Sequence, residues 1–409
     1  MNIQELQQPA VRQWIEEHAH DEPARLMLQA QLYPHIPMRE AVQQLQARQK
    51  ARYKLPHWYA NQGVLMPPPL SVEQASSEET ARYKASLVWE RMPEQEKSAA
   101  VAGTLADLTG GMGLDSWAFS RHFSNVYYVE QQEELSSLAA YNFKQLNCTN
   151  VQVHGEQAAT FLQQQQQPLD VLYLDPARRD AARNKVVLLS DCQPNVVSML
   201  PLLLQKGRQV WVKASPMLDI KGAMQELGQQ VQEVQVVSLR GEVKELLFCI
   251  EAAQQPDPQI TAVNLTAAGE AESFCFRYSE ESTAAPAISM PQAYLYDPGA
   301  ALRKAGAFKL PAVRFAMQKL HPHSHLYTSR EQLNNFPGRS FRMLGLVKAD
   351  KKAVRKLLPG GRAHLVVRNF PQKAELLQKK LGLEEGDPLY LFATTLADGK
   401  PQLLLCERI

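Results

Sequence analysis

The chain has 409 residues, enough for two or three domains of ordinary size, and its 45% hydrophobic and 21% charged composition suits a chain that buries a core. Its 44 Lys+Arg nearly cancel its 42 Asp+Glu. Taken alone, that balance speaks against a strongly basic nucleic-acid coat protein and against an acidic disordered tail.

In chain order, residues 1–62 have a helical pattern, with Leu6, Val11, Trp14 and Ile15, then Ala41, Leu45 and Ala47, recurring at helical spacing. GVLMPPPLS at 63–71 reads as a linker, because three successive prolines remove donors that a helix needs. A further helix runs through EETARYKASLVWERM and ends near Pro93. From about 101 the texture alternates. VAGTLADL, NVYYVE, VQVHGE, LDVLYLD and RQVWVKAS read as strands. LDSWAFSRHF, ELSSLAAYNFKQLN, SDCQPNVVSMLPLLLQKG and DIKGAMQELG read as helices. VQEVQVVSL and KELLFCIEAA close the run as a hairpin around Arg240-Gly241-Glu242. Repeated β-α order ending in a hairpin predicts a largely parallel sheet with an antiparallel last strand. The glutamine run 163–167 is a solvated loop. Beyond Pro256, ITAVNLT and ESFCFRYS pair, helices lie near 299–306 and 311–319, and four strands with two helices follow, a small α+β region over 257–409.

The N-terminus lacks the basic start and apolar run of a signal peptide. The longest apolar run, 196–204, is short and broken by Ser198 and Pro201, so no membrane span is expected. Cys148, Cys192, Cys249, Cys275 and Cys406 are scattered, with no CxxC pair, so neither a disulfide framework nor a metal site is expected. His321, His323 and His325 alternate in a Pro/Ser-containing loop without further ligands and read as solvated. The setting expected is the reducing cytoplasm.

The first chemical signal is Asp107-Leu-Thr109-Gly110-Gly111-Met-Gly113, a glycine-rich turn between a strand and a helix. A GxGxxG fingerprint would need its third glycine at Ser116, so a dinucleotide cradle fails. An acid at the strand end before such a turn better suits S-adenosylmethionine (SAM), whose methionine moiety needs an acceptor and backbone N–H donors. Glu130 ends the next strand, where a carboxylate can take both ribose hydroxyls. Glu156, after the third strand, could meet the adenine. Asp175-Pro176-Ala177-Arg178-Arg179-Asp180 ends the fourth strand, at the edge where open parallel sheets place their chemistry. Asp175 and the Pro176 carbonyl can hold an exocyclic amine while its lone pair attacks a methyl group, a step in which positioning supplies much of the catalysis. Arg178 and Arg179 either bind a phosphate or base, or pair with Asp180 and its neighbours. Lys213, Glu242 and Lys244 either line the substrate mouth or form salt bridges across the hairpin.

With these pieces assembled, the chain resembles class I SAM-dependent methyltransferases. More narrowly, SSEETARYKAS, DLTGGMGLD, LDPARRD, VKASPMLDI, SLRGEVKELL, YLYDPGAALRKAG and GRSFRML together resemble the bacterial members with a C-terminal THUMP-like domain. The resemblance implies an α/β chain with a Rossmann-like seven-stranded methyltransferase core, an N-terminal helical region and a C-terminal α+β (ferredoxin-like plus THUMP-like) region. The corresponding segments are 1–95 helical, 96–254 catalytic, 255–330 ferredoxin-like and 331–409 THUMP-like. It leaves the substrate open. RNA uracil-C5 methyltransferases share a similar DPPR motif but use a cysteine just past the fifth strand. Here Lys213-Ala214-Ser215-Pro216 has none, which disfavours attack by a pyrimidine carbon and favours methylation of a nitrogen.

Residues 301–380 hold 18 Lys+Arg and three acids, a net +15, so the rest of the chain carries −13. Phe336, Phe341 and Phe370 stand among these arginines, a pattern that suits phosphate contact with base stacking. THUMP-type modules bind RNA, so the resemblance points the same way. The expectation is a SAM-dependent methyltransferase of tRNA or rRNA, of unknown oligomeric state. A methyltransferase of a protein or small molecule, and a non-catalytic RNA-binding protein with a degenerate core, are the alternatives.

Overall fold

The computed structural model describes residues 3–94, 97, 103–178, 188–266, 270–386 and 388–409. The chain divides into two compact units, 1–232 with 246–256, and 233–245 with 257–409.

In the first unit, β1 (Thr104–Asp107), β2 (Asn125–Val129), β3 (Val151–His154) and β4 (Leu169–Leu174) are parallel strands. β5 (Ala177–Arg178) and β6 (Cys192–Gln193) form a separate two-stranded ribbon. β7 (Gly207–Ala214) joins β4 in parallel. A hairpin of β8 (Val231–Leu239) and β9 (Glu242–Ile250) follows, turning at Arg240 (φ 54°) and Gly241 (φ 80°); its residues 233–245 count with the second unit, while 246–250 of β9 stay in the first and run antiparallel to β7. β1–β4 and β7–β9 are the seven strands of the expected core, with the antiparallel strand where the repeat order predicts it. Nearly every residue of β1, β4 and β9's second half is buried, as a sheet covered on both faces requires.

The N-terminal helices belong to this same unit. Leu6, Val11, Trp14, Ile15, Leu45 and Leu65 share one apolar cluster with Leu138 of helix Glu133–Gln145. The expected linker at 63–71 is not one. Val64, Leu65 and Met66 are at most 4% exposed. Asn142 brackets Leu65 on both sides, accepting its N–H at 3.0 Å and donating to its carbonyl at 2.7 Å, and Gln44 does the same for Met66. Prolines that forbid a helix leave an extended backbone, and two amide side chains satisfy it as a neighbouring strand would. A helix, Pro69–Gln74, then begins with proline in its first turn, where a missing N–H costs nothing.

Two further elements differ from expectation. Cys192 lies in β6, buried, and the helix begins only at Val196, capped by the Asn195 side chain. The helix expected over 311–319 stops at Arg314, since residues 318–319 pair as a strand.

In the second unit, β10 (Gln259–Leu265) lies parallel to β8 and antiparallel to β11 (Ala271–Phe276). The remaining strands are β12 (Tyr294–Pro298), β13 (Gln318–Lys319), β14 (Tyr327–Ser329), β15 (Gly338–Val347), β16 (His364–Arg368), β17 (Leu389–Thr395) and β18 (Pro401–Arg408). They form one sheet in the order β13-β14-β12-β15-β18-β17-β16. Phe341 is fully buried against Leu295, Phe392 and Leu404, Phe336 packs on Tyr296 and Tyr327, and Phe370 packs on a third apolar cluster. Phe336 and Phe341 are core, and Phe370 is half-buried against its cluster, so none of the three stands free as a base-stacking platform. Strand alternation turns Phe341 inward while Arg342 beside it faces solvent.

Among the described residues, no helix is long and apolar enough to cross a membrane. No group of three or more His, Cys, Asp or Glu among them could hold a metal ion. All five cysteines are free.

Candidate active site

Parallel pairing aligns the carboxyl ends of β1, β2 and β4 on one edge of the sheet. After β1 the chain turns through residues 108–113 into helix Leu114–Phe119. Gly110 donates its N–H to the Val129 carbonyl at 2.9 Å, and a Cβ there would lie 2.2 Å from the Tyr128 ring. Only glycine fits so close to an aromatic wall. Tyr128 is itself fixed, donating its hydroxyl to the Gly111 carbonyl at 2.6 Å. Gly111 (φ 55°) is different: the nearest atom to its missing Cβ is 3.8 Å away, so this stretch of backbone is open. Gly113 caps the helix.

The acids hold this turn. Glu130 accepts the Gly111 N–H at 3.0 Å and the Gln132 N–H at 2.9 Å. Asp107 is 1% exposed and accepts from the Ser116 hydroxyl at 2.6 Å and the Thr109 N–H at 3.3 Å. Burial pushes the Asp107 carboxyl up to about 7, against the pull of its Ser116 hydrogen bond. The Asp175 N–H donates to the Thr109 hydroxyl at 2.6 Å, tying the end of β4 to the glycine turn.

Asp175 is ion-paired with Lys213 of β7. The register explains it: Leu174 lies opposite Val212, which sets Asp175 beside Lys213. The carboxylate is 37% exposed and the lysine 11%. Lys213 therefore meets the DP carboxylate directly. Glu242 and Lys244 pair with each other at 2.6 Å along β9 in the second unit, a bridge within one strand and not across the hairpin.

A second ion pair lies nearby, and the sequence gives little sign of it. Lys84, wholly buried on helix Glu78–Glu90, sits 3.3 Å from Asp115. Asp115 also accepts from the Tyr173 hydroxyl at 2.8 Å and Ser76 at 3.3 Å. Burial alone would raise the Asp115 pKa, but Lys84 and Lys213 together hold it below the usual carboxylate range. The SSEETARYKAS and DLTGGMGLD segments thus meet through a buried charge pair. The available signal was a lysine inside one of those segments and an acid two residues after Gly113.

Glu156 lies past the end of β3, near His154 (3.5 Å) and accepting from Gln164 at 3.2 Å. Pro176 is buried. The Arg178 backbone pairs with Cys192, while its side chain and all of Arg179 lie outside the described residues.

Three family models match. Residues 96–193 match Conserved hypothetical protein 95, residues 294–337 a ferredoxin-like domain and residues 338–408 a THUMP domain-like model. A crystal structure of a candidate methyltransferase from Porphyromonas gingivalis W83 has 30% identity and a TM-score of 0.87, covering 100% of this chain and 99% of that one. A candidate methyltransferase from Streptococcus mutans in complex with SAH covers 41% of this chain and 95% of its own, at 17% identity and a TM-score of 0.31. An rRNA methylase from Streptococcus thermophilus covers 42% and 96%, at 13% identity and 0.31. Both streptococcal likenesses are too weak to bear on activity. No curated protein matches the chain. Full-length similarity at 30% identity, the seven-stranded core and the two matched C-terminal modules agree: the chain belongs to the bacterial class I SAM-dependent methyltransferase family with a C-terminal THUMP-like domain.

Proposed function

We propose that the chain methylates a base nitrogen of tRNA or rRNA, most simply an exocyclic amine, with SAM as methyl donor and in the cytoplasm. The observation that carries this reading is the tie between Thr109 and Asp175, which sets the DP carboxylate against the glycine turn.

The donor set suits SAM. Asp115, Glu130 and Asp175 outnumber Lys84 and Lys213, a surplus that favours a cationic, amine-bearing ligand. The open backbone at Gly111 leaves room for close approach. Bound there, SAM supplies a methyl group on a cationic sulfur. Glu130 anchors the turn through two N–H groups and takes ribose hydroxyls on its remaining lone pairs, with Glu156 towards the base. Thr109, Gly110 and Gly113 shape the cradle, and Asp107 holds it from beneath. Asp175 and the Pro176 carbonyl accept hydrogen bonds from the substrate amine and aim its lone pair. Lys213 fixes Asp175, so the carboxylate orients rather than abstracts, and the proton leaves after transfer. The arginines at 178 and 179 contact the RNA. Residues 1–95 support the core at 96–254, and the ferredoxin-like (255–330) and THUMP-like (331–409) segments bring the RNA, drawing on the net +15 over 301–380.

The test is transfer of labelled methyl groups from SAM into RNA from cells lacking the protein, with mass mapping of the product nucleoside. Asp175→Ala should abolish turnover and spare SAM binding measured by calorimetry. A label that enters protein instead of RNA, or a methylated carbon, would overturn the assignment.

A further inference from the structure

Asp297, next to the last residue of β12, is 1% exposed and draws three guanidinium groups. Arg339 Nη2 lies 2.6 Å from Oδ2. Arg368 approaches with Nε at 3.2 Å from Oδ1 and Nη2 at 3.3 Å from Oδ2. Arg303 Nη1 is 3.6 Å from Oδ1 and also donates to the Pro298 carbonyl. The arginines come from three elements: helix Ala300–Ala305, β15 and β16. Close backbone packing fixes the arrangement, since a Cβ on Gly338 would lie 2.3 Å from the Asp297 carbonyl oxygen.

One carboxylate cannot neutralise three guanidiniums, so the cluster carries a surplus of two positive charges. Its layers are ordered. The acid is at the bottom, while Arg303, Arg339 and Arg368 are 33%, 37% and 26% exposed. Burial lowers the Arg303 pKa, and Arg368 and Arg339 lower it further against the pull of Asp297, the mark of crowded like charges. Arg339 is also steadied over the Phe341 and Tyr390 rings, 5.8 Å from each centroid. A guanidinium offers five donors in a rigid fork. The inner edges of these forks serve Asp297, and their exposed parts face solvent from a fixed frame. Such pre-ordered, under-neutralised forks match phosphate oxygens.

We propose that Arg303, Arg339 and Arg368, held by Asp297, form a binding site for the backbone phosphates of RNA. The inference rests on, and deepens, the RNA reading above. Arg303 and Asp297 lie in the ferredoxin-like segment, and Arg339 and Arg368 in the THUMP-like one. The β12–β15 pairing joins those segments, so the site exists only in the shared sheet.

The experiment uses the full chain and unfractionated tRNA and rRNA, with binding followed by fluorescence anisotropy across a KCl series. The double variant Arg303→Gln/Arg368→Gln should weaken binding roughly tenfold or more and reduce the slope of log Kd against log salt by about 2. Lys379→Gln/Lys380→Gln removes the same charge elsewhere in the module and should cost clearly less. Equal losses in the two variants, or an unchanged slope in the arginine variant, overturn the site. Arg368→Lys keeps the charge without the fork and should fall between wild type and the double variant; its full recovery of wild-type binding also overturns the site. Inorganic phosphate separates the two claims. It should raise the melting temperature of the wild type and not of the double variant. That result without RNA binding supports the anion site and removes the RNA reading. No phosphate effect on the wild type overturns the site even if RNA binds.

Discussion

The two units treat charge in opposite ways. Around the glycine turn, the carboxylates of Asp115, Glu130 and Asp175 are accompanied by Lys84 and Lys213, and acid is in surplus. Around Asp297, three arginines share one acid, and base is in surplus. Within each ion pair the minority charge is the more enclosed partner: Lys84 is fully buried beside Asp115, Lys213 is less exposed than Asp175, and Asp297 lies beneath its arginines. A buried counter-charge orders the groups of the majority sign without neutralising them all. The surplus is what a ligand of opposite sign can use, a cationic cofactor in the first case and a polyanion in the second.

The largest test of this contrast is Lys84→Met. It keeps side-chain length and leaves Asp115 buried without its cation, which should cost about 3–5 kcal/mol in urea unfolding. A loss within error of zero would mean the pair does not organise the acid cluster. Asp107 gives a pH-resolved test. Its carboxyl titrates near the ordinary aspartate value of 3.8 when unfolded and at about 7 when folded. The native state therefore binds the extra proton between those values. Its stabilising contribution is complete below about pH 4 and lost as pH rises to about 7. Asp107→Asn, which keeps an acceptor for the Thr109 N–H, should flatten that part of the stability profile. An unchanged slope between pH 4 and 7 would show that another group carries it. Gly110→Ala is the smallest change. Forcing a methyl group into the Tyr128 ring should cost about 1–3 kcal/mol and weaken SAM binding, as measured by calorimetry. Alanine at Gly241, which has nothing within 4 Å of its Cβ position, is the control for a crowding effect, although its positive φ adds some strain of its own.

Much of the catalytic core is legible in the sequence because repeated β-α order leaves few topologies. Strand ends can be read from residue patterns, and in a parallel sheet they share an edge, so Asp107, Glu130 and Asp175 fall together from the sequence alone. Lys213 can be placed only loosely that way, since its meeting with Asp175 depends on the β4–β7 register. The segment 63–71 departs from its linker reading for a related reason. Proline content shows that a stretch is not helical, but not whether Asn142, seventy-seven residues from Leu65, will receive its backbone. Phe341 departs from the stacking reading because composition does not reveal which way a strand residue points, and Phe336 and Phe370, outside the strands, because it does not reveal what packs on them.

Local sequence determined the glycine turn, the strand-ending acids and the concentration of basic residues after 300, because each depends on neighbours in the chain. Tertiary structure decided which charges meet. Lys84 with Asp115, Lys213 with Asp175, and three arginines with Asp297 join residues from separate elements. Ion pairing falls off steeply with distance and burial, and only the folded chain sets both.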